Sequence, residues 1–316
     1  MHSVQICRKD RFMTPPFLKS GDTIGIVATA RWIDEVALRP AIDLFESWGL
    51  KVIVASNAHS RHFQLAGNDE LRTRCLQEML DRDDVQAVIV ARGGYGTVRL
   101  IDHLDFSGIR KNPKWICGFS DVTVLHNALN NLGIATIHGP MPFTFEEATA
   151  ESISSLKNCL FGENRVLHIS GVFTSKTIGE TSITGGNLSV IASQLGSVTQ
   201  IKTQGKFIFL EDIDEMIYHI DRMLIALKRA GIFDSCAGII SGGFSSLRDN
   251  TKAFGFSNDN PWGQNPDEMI RFISEELNLP LLEGFPAGHI ANNEAFYLGR
   301  TCSVTMGSQG AEISFL

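Results

Sequence analysis

The first half of the chain repeats one unit: a short, unbroken apolar run followed by a helical pattern. The runs fall at residues 23–30, 51–56, 86–92, 115–119 and 134–138. Between them lie helical stretches at 34–48, 69–83, 96–104 and 121–132. Asp34 stands as a cap ahead of Val36, Ala41, Leu44, Phe45 and Trp48. Leu71, Cys75, Met79 and Leu80 share one face of the second helix, and Val122, Leu125, Leu129 and Leu132 one face of the last. Strands without polar alternation are buried on both sides, and parallel strands need the crossovers that helices supply. The pattern therefore predicts an N-terminal α/β domain with a parallel sheet covered on both faces.

The second half breaks that rhythm. Helices are expected at 187–195 and 215–230, and strands at 206–210, 237–241 and 280–284. Short β runs follow from 295 to 316, and residues 245–266 read as a long polar loop. This predicts a smaller C-terminal domain with a mixed or antiparallel sheet. A chain of 316 residues also exceeds what one core usually holds. The expected organisation is an extension at 1–12, a first domain at 13–145, a linker region at 146–182 and a second domain at 183–316.

Composition narrows the partners. The formal net charge is −7, and general nucleic-acid binding needs a basic surface. No apolar run is long enough to span a membrane, and the first residues carry no apolar signal core, so a cytoplasmic location is expected. Cys7, Cys75, Cys117, Cys159, Cys236 and Cys302 are scattered without a C-x-x-C pair, which reads as reduced thiols. No histidine or cysteine grouping has metal-ligand spacing, and no cofactor motif is present.

In open α/β sheets, sites form beyond the carboxyl ends of the strands. Two strand ends run into helices with almost no loop: Arg92-Gly93-Gly94-Tyr95-Gly96 and Gly118-Phe119-Ser120-Asp121. A sharp turn of the second kind pushes a serine hydroxyl out of the sheet. It also aims the next N–H, that of Asp121, at a developing oxyanion. The fifth residue is Val122 rather than the usual glycine, and a serine N-cap accounts for the same residues. The glycines of the first turn permit close backbone approach; Gly93 or Gly94 offers a second oxyanion N–H, and a plain tight turn is the alternative. His289, in a bent Gly/Pro loop, is a candidate base, and on spacing alone a structural loop histidine is the stronger reading. His138 ends a strand beside the serine strand and is expected to line the pocket. His126 is expected to point elsewhere. Acids cluster at Glu211, Asp212, Asp214 and Glu215, where helix capping also calls for them; Glu211, at a strand end, is best placed to reach a cleft.

These segments, with FQLAGNDELR, HGPM, ITGGNLSVI, DRMLIAL and GFPAGH, occur in an order that resembles the LD-carboxypeptidase family, which includes muramoyltetrapeptide carboxypeptidases and microcin C immunity proteins. The resemblance covers most of the chain after Met13. It implies a Ser-Glu-His triad at Ser120, Glu211 and His289, divided between two domains. It implies hydrolysis of an L,D-peptide bond that releases D-alanine from cytoplasmic murein tetrapeptides, by a homodimer. Arg92 is a candidate partner for the substrate's terminal carboxylate. Two alternatives remain at this point. One is a microcin-type hydrolase of aminoacyl nucleotides, with Phe254, Phe256 or Trp262 stacking on a base. The other is a two-domain protein that only binds a ligand.

Overall fold

Alternate residues of each central strand belong to two different cores. Ile24 and Ile26, Ala87 and Ile89, Trp115 and Cys117 pack on one face of a sheet; Val27, Val88, Val90 and Ile116 pack on the other. This follows from the two-residue period of a strand. It is why these runs contain no polar alternation.

The structure is a computed structural model and describes residues 12–163, 166–171 and 176–316. Most of the expected extension at 1–12, with Cys7, thus lies outside the described residues. The first half runs β1 (Thr23–Val27), α1 (Glu35–Ser47), β2 (Lys51–Val54), α2 (Asp69–Asp81), β3 (Ala87–Val90), α3 (Ser107–Lys111), β4 (Trp115–Gly118), α4 (Thr123–Asn131), β5 (Thr136–His138) and α5 (Ala150–Phe161). The second runs β6 (Val166–Ile169), β7 (Lys176–Asn187), α6 (Leu188–Ser193), β8 (Phe207–Ile213), α7 (Ile217–Arg229), β9 (Gly238–Ser245), α8 (Pro266–Glu276), β10 (Leu281–Leu282), β11 (Phe296–Leu298), β12 (Thr301–Gly307) and β13 (Gly310–Phe315).

The first sheet has the order β11-β5-β4-β3-β1-β2. Its five N-terminal strands are parallel, and β11 joins the edge antiparallel to β5. Helices α1 and α5 cover one face through Leu38, Phe45, Leu156 and Leu160. Helices α2 and α4 cover the other through Leu76, Met79, Leu125 and Leu129. The second sheet has the order β10-β9-β8-β7-β12-β13-β6. It is parallel from β10 to β7 and antiparallel from β7 to β6. The fold is therefore two-domain α/β, with one largely parallel and one mixed sheet.

Three local differences from the sequence expectation have physical reasons. The stretch 96–104 forms two 3-10 turns, Thr97–Arg99 and Ile101–His103, instead of one helix. Thr97 N–H is tied to the Asp121 carboxylate, which holds the start of this stretch in a tight turn. The region 146–182 holds α5, β6 and the start of β7. Helix α5 is capped by the Thr149 side chain and ended by Gly162 in the left-handed region. Finally, β11 leaves the second half to pair with β5, while Phe296 and Leu298 pack among Phe207, Phe209 and Phe285 of the second domain. One short strand thus belongs to both domains.

Candidate active site

The two sheets meet where β4 ends. Ser120 follows β4 after the single residue Phe119 and opens a 3-10 turn, Ser120–Val122, that leads into α4. Its φ is +62°. A serine held in the left-handed region is strained, and such strain is characteristic of a nucleophile elbow. The surroundings hold it there. Gly118 leaves room for Val122, whose Cγ2 would lie 2.9 Å from a Cβ at that glycine, so valine fits at the fifth position of the motif. His126 sits beneath the turn, fully buried, and donates from Nε2 to the Gly118 carbonyl at 2.9 Å. Burial pushes its imidazole down to about 4, so it stays neutral there.

The glycine-rich turn after β3 lies against the serine. A Cβ on Gly93 would be 3.2 Å from Ser120 Cβ and 3.3 Å from its Oγ. Asp121 binds the two turns together: its buried carboxylate accepts from Thr97 N–H at 2.8 Å. Burial raises that carboxyl, and the N–H groups of Thr97 and Gly96 act against the shift. Arg72, with no exposed surface, completes the support. It donates to the carbonyls of Thr29 and Gly96, the latter at 3.0 Å, and pairs with Asp69. Arg72 and the Asp121 side chain escaped the sequence reading. Arg72 lies in the first turn of α2, at the end of the FQLAGNDELR segment, which by itself points to no role for it, and the pattern around Asp121 points only to its N–H.

The second domain supplies charge. Glu211, in the C-terminal half of β8, is fully buried, and its Oε2 accepts from His289 Nδ1 at 2.5 Å. The remaining imidazole nitrogen is Nε2, and His289 lines the same cleft as Ser120. No direct Ser120–His289 hydrogen bond is closed among the described residues; such contacts often tighten only around substrate. The His289 ring packs on Phe119, with centroids 4.9 Å apart. Burial by itself lowers the His289 imidazole, but the Glu211 carboxylate outweighs it, with Asp212 adding to the effect, so the net shift is upward. Gly288 makes the pairing possible: its φ is +114°, and a Cβ there would lie 2.8 Å from Glu211 Cβ.

The loop bearing His289 is bolted to α5. Ser152 Oγ donates to the Asn293 carbonyl at 2.6 Å, and Ala295 N–H donates to Ser155 Oγ at 2.6 Å. Asn293 in turn accepts from Gly288 N–H at 2.9 Å. Asp212 faces the cleft beside Glu211 but is occupied, accepting from Asn187 Nδ2 at 2.8 Å and Ser189 N–H at 2.9 Å. Burial and then Glu211 push its carboxyl up to about 6. Asn187 N–H also reaches Thr123 Oγ1 at 3.0 Å, joining the second domain to the serine helix.

The cleft between the domains has a volume of about 620 Å³ and is lined by Arg31, Arg92, Gly93, Gly94, Ser120 and His289, among others. Ser120, His289, Gly93, Gly94 and Arg92 thus come together, with Glu211 behind the histidine and Asp121 behind the serine turn. His138 does not join them. It is fully buried and caged by Phe119, Phe209 and Phe296, at centroid distances of 5.8, 5.0 and 5.0 Å. The expectation that it lines the pocket is therefore corrected: as the last residue of β5, paired with Phe296 of β11, it points into the joint core. Among the described residues no group of three or more His, Cys, Asp or Glu is placed to hold a metal, and no helix is long and apolar enough to cross a membrane.

Residues 24–139 match the LD-carboxypeptidase N-terminal domain, and residues 180–304 match the LD-carboxypeptidase C-terminal domain. The chain belongs to the LD-carboxypeptidase family. It is a serine peptidase of that family. The probable murein peptide carboxypeptidase of Bacillus subtilis is 35% identical to it, over 95% of this chain and 93% of the relative. The crystal structure of muramoyltetrapeptide carboxypeptidase from Oxalobacter formigenes superposes with a TM-score of 0.82 at 27% identity, covering 93% of this chain and 98% of that one. The microcin C7 self-immunity protein, in complex with aspartyl sulfamoyl adenosine, shares the fold, with a TM-score of 0.83 at 19% identity, covering 96% of this chain and 99% of that one.

Proposed function

We propose that the protein releases a terminal D-alanine from murein tetrapeptides by cutting an L,D-peptide bond, in the cytoplasm, during wall recycling. The observation that carries the reading is the strained Ser120, pressed against the Gly93 turn and sharing a cleft with a His289–Glu211 pair. Relatives named as murein peptide carboxypeptidases supply the substrate class. On this reading Ser120 attacks the carbonyl as His289 takes its proton. The N–H of Asp121 and that of Gly93 or Gly94 receive the oxyanion. His289 then protonates the leaving amine, and water resolves the acyl-enzyme. Glu211 fixes the imidazole and stabilises its charged form. Arg92 receives the terminal carboxylate. A homodimer is the assembly that the family implies.

The nucleotide-analogue alternative gains nothing from the aromatic loop. Phe254, Phe256 and Trp262 do not line the cleft, and Trp262 borders a separate hollow with Tyr218 and Asn250. The deciding experiment compares tetrapeptides ending in D-alanine and L-alanine, with an aminoacyl-sulfamoyl adenylate alongside. Release of D-alanine with the L-epimer nearly inert is expected, because a misplaced carboxylate leaves buried donors unpaired. Equal rates on the two epimers would reduce the assignment to a generic serine hydrolase.

A further inference from the structure

We propose that Arg31 and Arg92 act as a pair that grips one carboxylate, and that this grip makes the enzyme cut only at a chain end. The proposal rests on the function above and adds a second cation to it. The placement is specific. Arg92 immediately precedes Gly93, the residue whose backbone lies against Ser120 Oγ. Arg31 lies across Gly94, the residue that follows: a Cβ there would meet Arg31 Cδ at 2.7 Å and Nε at 2.8 Å. Consecutive Cα atoms are about 3.8 Å apart. Arg31 thus lies against the turn that packs on Ser120, and Arg92 enters the same cleft from the residue before that turn. A terminal carboxylate lies one residue beyond the scissile carbonyl.

Both side chains line the cleft, and the electrostatics there are unfinished. Arg92 stacks on Phe143, its guanidinium carbon 3.7 Å from the ring centre, and donates one N–H to the Trp32 carbonyl at 3.3 Å. The stack fixes the plane of the guanidinium and leaves other donors of its fork for a ligand. Burial, and then the nearby charge of Arg31, lowers Arg92 from the usual guanidinium range. Asp34, the acid that acts on Arg92 in the other direction, is already paired with Arg61 at 2.7 Å. Glu147 shares the cleft lining without an ion pair to either arginine among the described residues. By contrast, Arg72 and Arg99 both pair with Asp69. Two neighbouring cations without a carboxylate repel each other, and an anion between them turns that repulsion into attraction.

The test measures inhibition of p-nitrophenyl acetate hydrolysis, which reads the triad without a terminal carboxylate. N-acetyl-D-alanine should inhibit competitively, and its C-terminal amide should not. Arg31→Ala should raise the inhibition constant of the acid by roughly 10- to 100-fold, the range of a charge-assisted hydrogen bond. Ester turnover should fall far less than the affinity for the acid, and Arg31→Lys should recover part of that affinity. On the tetrapeptide, Arg31→Ala should lower kcat/KM by a similar factor. If the tetrapeptide is cleaved but Arg31→Ala behaves as wild type, the arginine pair is wrong and the function stands. If the tetrapeptide is inert while acid and amide are still told apart through Arg31, the function is wrong and the carboxylate site stands. Equal loss of kcat/KM on tetrapeptides ending in the acid and in the C-terminal amide overturns the pair, since the carboxylate it held would then lie on the acyl side.

Discussion

The first sheet shapes the serine turn with backbone, and the second sets a charged pair against it. At the ends of β3 and β4, the determining features are a serine at φ +62° and glycines that leave room for their neighbours. In the C-terminal half of β8 and in the loop after β10, they are a fully buried carboxylate and the imidazole it raises. The first half-site is fixed mainly by sterics, with the buried Asp121 carboxylate as its one tie between the turns. The second is fixed by electrostatics and titrates. The difference teaches that substitutions in the two halves should fail in distinguishable ways.

Ser120→Ala should remove the most activity, about five to six orders of magnitude in kcat if the triad acts as a unit. Its circular dichroism should match wild type. A variant that keeps even a tenth of the rate would break the comparison at its root.

Glu211→Gln should cost about three to four orders of magnitude, and its signature is in the pH profile. His289 must be neutral to accept the serine proton, and its imidazole is raised, so the wild-type acid limb of kcat/KM should lie above the ordinary histidine value of about 6.5. With the carboxylate gone, burial is left to dominate, and the limb should fall below that value. A limb that does not move would assign the titration to another group.

Gly93→Ala should cost roughly ten- to a hundredfold in kcat, since a new methyl would sit 3.3 Å from Ser120 Oγ and disturb the oxyanion turn. Here the acid limb should stay in place. A shifted limb would show that the two half-sites are not separable. The smallest effect is on stability. Ser120→Gly should exceed Ser120→Ala by about 1 kcal/mol in thermal or denaturant unfolding, because glycine occupies a positive φ without strain.

Legibility in the sequence follows the same division. Strands β1, β3, β4 and β5 are readable because burial on both faces leaves uninterrupted apolar runs. The Gly118–Ser120 turn was readable as a candidate because sharp strand-to-helix turns leave a local mark. The partners of the serine were not readable from spacing. Glu211 competes with Asp212, Asp214 and Glu215; its place at a strand end favours it, and the family resemblance gives it the role. What separates Glu211 from Asp212 in space is non-local: Asp212 is consumed by Asn187 and Ser189, while Glu211 meets the histidine. His138 went astray for a related reason. Its strand position was right, but β11, which covers it, comes more than 150 residues later, and nothing near His138 announces that pairing.

The joining of β11 to β5 also bears on how the enzyme is made. The loop carrying His289 is strung between β10, in the second sheet, and β11, at the edge of the first. Domains fold as units during synthesis, the N-terminal one first. The serine turn can therefore take shape early on the ribosome, while the edge of its sheet stays open. The histidine is anchored on both sides only after residues 296–298 have emerged and docked. On the proposed mechanism, hydrolytic competence is thereby tied to near-completion of translation, and an unfinished chain carries a serine that nothing yet activates.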